Sequence, residues 1–288
     1  MIRDVAVIVP AANEEYRISR CLASIEAAVR HLSQRDPGIR ARVVVALDGC
    51  TDATAAICAT FPAVTTVTTT ARNVGAARRA GTRAALDHRA GPAGELWLAS
   101  TDADSAVPAD WLTAMVTMAG CGAGLVLGTV LPGPGLSPAA RSRWLARHHL
   151  RDGHPYVHGA NLGVRADAYG ALGGWRPLAT GEDTDLAGRA AAAGWLRISR
   201  TAAIPVVTST RRTGRAPRGF SSYLRALSGP GGRSPGPGEA DLDGAADLAG
   251  LERRLRGGRG PAGHGPVGDA EPAPVPGAGQ AAARQAAR

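Results

Sequence analysis

Four short runs constrain the fold more than any other feature of this chain: VAVIVP (5–10), RVVVAL (42–47), AVTTVTT (63–69) and ELWLAS (95–100). They are rich in β-branched residues and largely apolar at odd and even positions alike. That pattern suits strands covered on both faces, as in a parallel sheet between helical layers. Helical periodicity follows at 14–33, with Ile18, Cys21, Leu22, Ile25 and Val29 on one face, and again at 52–60 and 74–89. Parallel strands joined by helices need right-handed crossovers. The alternation therefore predicts an α/β fold, a Rossmann-like open and mostly parallel sheet flanked by helices. Ligands of such sheets bind beyond the carboxyl ends of the strands. Polar residues collect there: PAANEE after the first strand, DGCTD after the second and TDADS after the fourth.

A dinucleotide-binding dehydrogenase would use the same architecture, but no GxGxxG follows the first strand and the acid after the second, Asp48, opens its own turn. A sugar nucleotidyltransferase would carry a Gly-rich GxGxRxxPxT loop where this chain has PAANEE. All 33 basic residues are arginine and the net charge is +9. Arginine is scattered and no RNA- or DNA-binding motif occurs, so no nucleic-acid partner is expected; basic groups that hold a phosphorylated substrate account for the charge more simply. From Gly229 to Arg288 there are 15 Gly and 8 Pro, and seven Arg balance seven acids. This predicts one folded domain over 1–228 and a disordered tail over 229–288. The expected place is the cytoplasm, with at most peripheral contact at the inner face of the plasma membrane. The N-terminal apolar run is too short for a signal peptide, and no stretch nears the roughly 20 apolar residues that span a bilayer.

Asp102 and Asp104 stand one residue apart just past the fourth strand. In extended backbone alternate side chains share a face, so both carboxylates can address one cation. Magnesium or manganese binds through one or two carboxylates plus phosphate oxygens. The plainer reading has Asp104 or Ser105 cap a helix beginning near Pro108, but two other acidic strand ends alongside favour the metal. Asn13 with Glu14 and Glu15 reads as an N-cap followed by first-turn acids. Thr180 and Asp183 have the spacing of a variant capping box. His148, His149, His154 and His158 are clustered, but without cysteine beside them they suit a surface or acceptor pocket better than zinc.

Six segments occur in order: VIVPAANEEYRISRCLASI, VVVALDGCTDAT, NVGAARRAG, LASTDADSAVPADWL, GANLGVRADAYGALGGW and GEDTDLAGR. Together, over residues 2 to about 210, they closely resemble the inverting family-2 glycosyltransferases with the A-type nucleotide-sugar-binding fold. The resemblance implies a metal-dependent enzyme that moves one sugar from a nucleotide-diphosphate donor, with a UDP-sugar foremost, to a small-molecule or lipid-linked hydroxyl acceptor. It implies Pro10, Ala12 and Glu14 at the nucleoside, Asp48 as acceptor for a base N–H, Asp102 and Asp104 at Mg2+ or Mn2+, and Asp183 as catalytic base. The family often has an aromatic residue at the position of Ala12. Gly75 would let backbone approach the donor, and Arg78 or Arg79 would meet base or diphosphate, the alternative being a solvated arginine face. The resemblance also divides the domain into a nucleotide-binding half (1–104) and an acceptor-binding half (105–228), with Gly159, Ala160, Asn161 and Glu182 on the acceptor side. The arginines of TSTRRTGRAPRGF (208–220) either close over the diphosphate or form a basic patch facing solvent or an anionic membrane. The QxxRW motif of processive members is missing. Two other readings stay open: a retaining transferase of the same fold, and a non-catalytic binder of nucleotide sugars or of a membrane partner.

Overall fold

The computed structural model describes residues 1–148 and 150–211. The disorder expected for 229–288, the end of the 1–228 domain and His149 lie outside the described residues. Within them a single eight-stranded sheet has the order β3-β2-β1-β4-β7-β6-β8-β5. Strands β1 (Asp4–Ala11), β2 (Arg40–Asp48), β3 (Val64–Thr69) and β4 (Leu96–Ser100) are mutually parallel. Their connections carry helices α1 (Ile18–Arg35), α2 (Thr54–Ala59) and α3 (Val74–Asp87). The rest comprises β5 (Ser105–Ala106), α4 (Trp111–Gly120), β6 (Leu125–Pro132), α5 (Pro138–Arg147), β7 (Leu162–Arg165), α6 (Ala166–Ala171), α7 (Glu182–Ala193) and β8 (Ile198–Thr208). Strand β7 runs antiparallel to both β4 and β6, which makes the sheet mixed. No helix among the described residues is long and apolar enough to cross a membrane.

Period-two packing divides the core between the two faces of the sheet. Val5, Val7 and Val9 of β1 join Val43, Val45, Trp97 and Ala99 on one side; Ala6, Ile8, Val44, Leu96 and Leu98 lie on the other. Each valine, isoleucine or leucine so removed from water contributes about 1.5–3 kcal/mol. Strand β3 differs from the expectation of burial on both faces, since it is the sheet edge and Thr65, Thr66 and Thr68 are exposed. The helix predicted from residue 14 begins at Ile18, and Asn13 is not its cap. Asn13 takes a left-handed φ of 55° and its Oδ1 accepts from Thr51 N, while Glu14 N donates to Thr54 Oγ1 and Glu15 N to Asp52 Oδ2. The loop is tied sideways to the turn after β2, and those bonds outweigh local capping.

Asn161 solves a backbone problem in the sheet. Strands β6 and β8 pair through Gly128 and Thr201, then resume at Val130 and Val206. One residue of β6 thus faces four of β8, and the ladder leaves carbonyls without partners at the break. Asn161 Nδ2 donates to two of them, Thr129 O and Ile204 O, both at 2.8 Å. Its Oδ1 accepts from Trp111 Nε1 at 2.9 Å. Gly128 makes room, because a Cβ there would overlap the Asn161 amide. Every polar atom of the side chain is thereby committed inside the core, where Asn161 is 0% exposed. The acceptor-side role expected for Asn161 does not fit this placement. Replacing Asn161 with Ala strands two carbonyls and an indole N–H, and unsatisfied buried groups cost about 1–3 kcal/mol each. The expected outcome is a loss of about 3 kcal/mol or more in chemical denaturation; a loss under about 1 kcal/mol would refute the role.

Candidate active site

The loops beyond the carboxyl ends of β1, β2 and β4 converge with two segments from the second half of the chain. Together they enclose one cleft of about 660 Å³, within the usual range for small-molecule sites. Asp48, Asp104 and Asp183 all line it, as do Pro10, Ala12, Glu14, Asp102, Gly159, Ala160 and Glu182.

Arg78 occupies the centre. It lies on α3 with its side chain only 2% exposed. Nη2 donates to Asp102 Oδ1 at 2.6 Å, Nε to Glu182 Oε1 at 3.0 Å, and Nη1 to Ser100 Oγ. Its guanidinium also stands 5.6 Å from the ring of Trp175, within cation–π range. Trp175 is placed by Arg189, which binds Gly174 O at 2.7 Å and Asp185 Oδ2 at 2.6 Å. The sequence left Arg78 and Arg79 equivalent, and the structure separates them: Arg79 is exposed and does not line the cleft. Ser100 and Trp175 escaped the sequence reading, although both sit inside the motifs quoted for it.

Glu182 and Asp183 open α7. The cap of that helix is Gly181 at φ 79°, so the box expected from Thr180 does not form. Asp183 Oδ2 accepts from Gly159 N at 2.6 Å and Oδ1 from Thr184 N at 2.8 Å. Two main-chain donors thus aim this carboxylate along the cleft wall. Gly159 is required because a Cβ there would lie 2.6 Å from Arg78 Nη2. Burial raises the Glu182 carboxyl to about 7, helped by the charge of Asp183 and opposed by Arg78.

On the opposite wall, Asp48 accepts from Arg72 N at 2.8 Å and Asn73 N at 2.7 Å. Each oxygen retains a second lone pair directed elsewhere. Asn73 then caps α3 through Ala76 N and donates to Pro177 O at 3.0 Å. Gly75 does not line the cleft. Its N–H donates to Leu178 O, and a Cβ would overlap Arg176 O, so the close approach it allows is to segment 176–178 rather than to a ligand. Arg72, missed by the sequence reading, has φ 49° and lies along Gly49 at the cleft edge. Its left-handed backbone follows from the two bonds to Asp48, which no local pattern shows.

Asp102 and Asp104 flank a turn closed by Ser105 N donating to Asp102 O at 3.0 Å, so the extended backbone expected there is bent. Asp104 does not cap α4, whose first turn has no side-chain cap. Arg211 Nη2 lies 3.1 Å from Asp104 Oδ2, and Nη1 2.6 Å from Glu14 Oε1. Burial raises the Asp104 carboxyl to about 6, with Arg211 pulling it down and Asp102 and Glu14 pushing it up. No group of three His, Cys, Asp or Glu side chains forms a metal cage among the described residues. Two carboxylates suit a hard cation that completes its shell with phosphate oxygens and water. Of the histidines, His148 and His154 are buried in a stack with Trp144 and Tyr156, while His158 lines the cleft.

The family model described as Glycosyl transferase family 2 matches residues 6–165. Among solved structures, a mannosyltransferase from Pyrobaculum calidifontis, PcManGT, in complex with GDP-Man and Mn2+, is similar at a TM-score of 0.55 and 22% identity, covering 88% of this chain and 76% of that one. Residues 1–349 of S. aureus TarS, in complex with UDP-GlcNAc, give a TM-score of 0.52 and 17% identity over 78% of this chain. The alignment covers 65% of that fragment, just under two thirds of its length. No significant match emerged among curated proteins.

Two outcomes follow from the charge arrangement. Arg78→Met leaves the Glu182 carboxyl buried without its cation, and breaking such a pair costs about 3–5 kcal/mol. Urea unfolding at pH 8 should show that loss, with a smaller one at pH 6 where Glu182 is protonated; equal losses at both would refute it. Glu182 itself binds a proton more tightly folded, at about 7, than at its ordinary value of 4.5. Stability therefore falls as pH rises between those values. Asp104 acts in the same direction up to about 6. In Glu182→Gln the decline of melting temperature towards pH 7 should be shallower, and an unchanged slope would count against the shift.

Proposed function

This chain belongs to glycosyl transferase family 2, and from that premise we propose that it is a glycosyltransferase that moves one sugar from a nucleotide-diphosphate donor, a UDP-sugar foremost, to a hydroxyl of a small-molecule or lipid-linked acceptor with inversion at the anomeric carbon. The observation that carries this reading is the convergence of Asp48, Asp104 and Asp183, from three separate segments of the chain, on one cleft. The acids divide it by task. Pro10, Ala12 and Asp48 border the nucleoside end, where a free lone pair of Asp48 accepts a base N–H. Asp102 and Asp104 border the diphosphate and would hold Mg2+ or Mn2+. Such an ion would neutralise the charge that develops on the departing diphosphate.

Inversion takes one displacement. The acceptor oxygen forms a bond to the anomeric carbon as the bond from that carbon to the diphosphate oxygen breaks, and the hydroxyl proton passes to a carboxylate. Asp183 is that base, since the N–H groups of Gly159 and Thr184 fix its plane and leave lone pairs for an acceptor hydroxyl. Gly159, Ala160 and Glu182 form the acceptor side around it. Arg78, bonded to Asp102 and Glu182 at once, acts as a positioning residue that keeps donor and acceptor walls at a fixed separation. A rigid frame of that kind preserves the in-line geometry a single displacement needs.

The test is to screen UDP- and GDP-sugars with Mn2+ against sugar and lipid-linked acceptors and to read the product anomer by NMR. Inverted product from the wild-type chain is expected. Asp183→Asn should lower turnover by about 10²–10⁴-fold, the usual span for a general base, with donor affinity within about threefold of wild type. Turnover at the wild-type rate, or product that retains configuration, would overturn the assignment.

A further inference from the structure

Arg211 lines the cleft but has no part in the reaction as written. Arg211 follows β8 and reaches back across the chain to Glu14, 197 residues earlier in sequence. Its fork binds two carboxylates, Glu14 Oε1 at 2.6 Å and Asp104 Oδ2 at 3.1 Å. Those carboxylates are nearly closed to water, at 2% and 10% side-chain exposure. Buried acids held this way need a cation, and here the protein supplies one. Asp104 is also the carboxylate that would hold a divalent ion. A guanidinium bonded to Asp104 and a metal ion on the same group would stand a few ångströms apart as like charges in a poorly solvated place, so one must leave for the other to enter.

We propose that Arg211 is a donor-site residue with two alternative partners: the Asp104 and Glu14 carboxylates when no metal is bound, and the donor's diphosphate once a divalent ion has taken its place on Asp104. The proposal rests on the reading of the cleft as a nucleotide-diphosphate site. A metal arriving alone evicts Arg211 into water. A metal arriving with a diphosphate offers the displaced fork two anionic oxygens of matching geometry. Metal and nucleotide therefore strengthen each other's binding through Arg211, and by linkage the factor is the same in both directions.

The experiment measures Mn2+ affinity of the full chain by the electron paramagnetic resonance signal of free Mn2+, with and without saturating UDP or GDP. Wild type is compared with Arg211→Met, which removes the charge, and Arg211→Lys, which keeps charge but loses the fork. Without nucleotide, Arg211→Met should bind Mn2+ about tenfold more tightly than wild type, within the range typical of coupled sites. Nucleotide should tighten Mn2+ binding by a larger factor in wild type than in Arg211→Met, with Arg211→Lys between them. Equal metal affinity without nucleotide, or an equal tightening factor in all three chains, would overturn the proposal. The second outcome would reduce Arg211 to a general field effect. A wild-type chain that binds neither UDP nor GDP would instead overturn the donor reading, a failure kept distinct by the comparison with metal alone.

Discussion

The geometry of the cleft depends on one buried guanidinium. Arg78 of α3 bonds Ser100 and Asp102 at the end of β4 and Glu182 at the start of α7, so three elements far apart in sequence share one rigid planar group. Lysine could not replace it, because an ammonium has no plane to lay beside Trp175 and no fork to span two carboxylates. The surroundings are built to that shape. Gly159 is bare where a side chain would strike the fork, and Arg189 holds the loop that brings Trp175 under it. Burying the charges of Arg78 and Glu182 is unfavourable, and only their mutual bond and the partners around them make it tolerable.

Much of this architecture was legible in the sequence. The four parallel strands, the three helices between them and the acidic strand ends follow from periodicity, because a strand covered on both faces has few other ways to be written. Glycosyl transferase family 2 was legible from six motifs in order, and the sheet agrees with it in being mostly parallel with an antiparallel β7. Placement within the motifs was harder to read. Asn13, Asn161 and Gly75 each look like turn or ligand residues by type, yet each is bonded to a partner far along the chain: Thr51, Thr129 with Ile204, and Leu178. Long-range hydrogen bonds leave no local periodicity. Arg78 and Arg79 are a sharper case, since adjacent helical residues point about 100° apart and only the packing of α3 decides which faces inward.

Charge in this cleft is organised as alternation. Glu14 and Asp104 flank Arg211, Asp102 and Glu182 flank Arg78, and Asp183 rests on main-chain N–H groups. Each acid thus has its own source of positive potential before any substrate arrives. Such an arrangement makes the carboxylates tolerable side by side, because each is bonded to a cation or an N–H before any ligand arrives. It also explains why a chain of net charge +9 keeps so many carboxylates in one place.

The hydrogen-bond relay from Asp48 through Asn73 to Pro177 has a practical corollary. It fastens the segment entering α7 to the turn after β2 through the main-chain carbonyl of Pro177, whose geometry does not depend on which side chains residues 179–181 carry. Chimaeras that exchange residues 179–181 and the lining around Ala160 for those of a relative should therefore keep the pocket frame, provided Asn73, Gly75 and Arg78 travel unchanged. That makes this wall a natural place to begin re-engineering which ligand the cleft accepts.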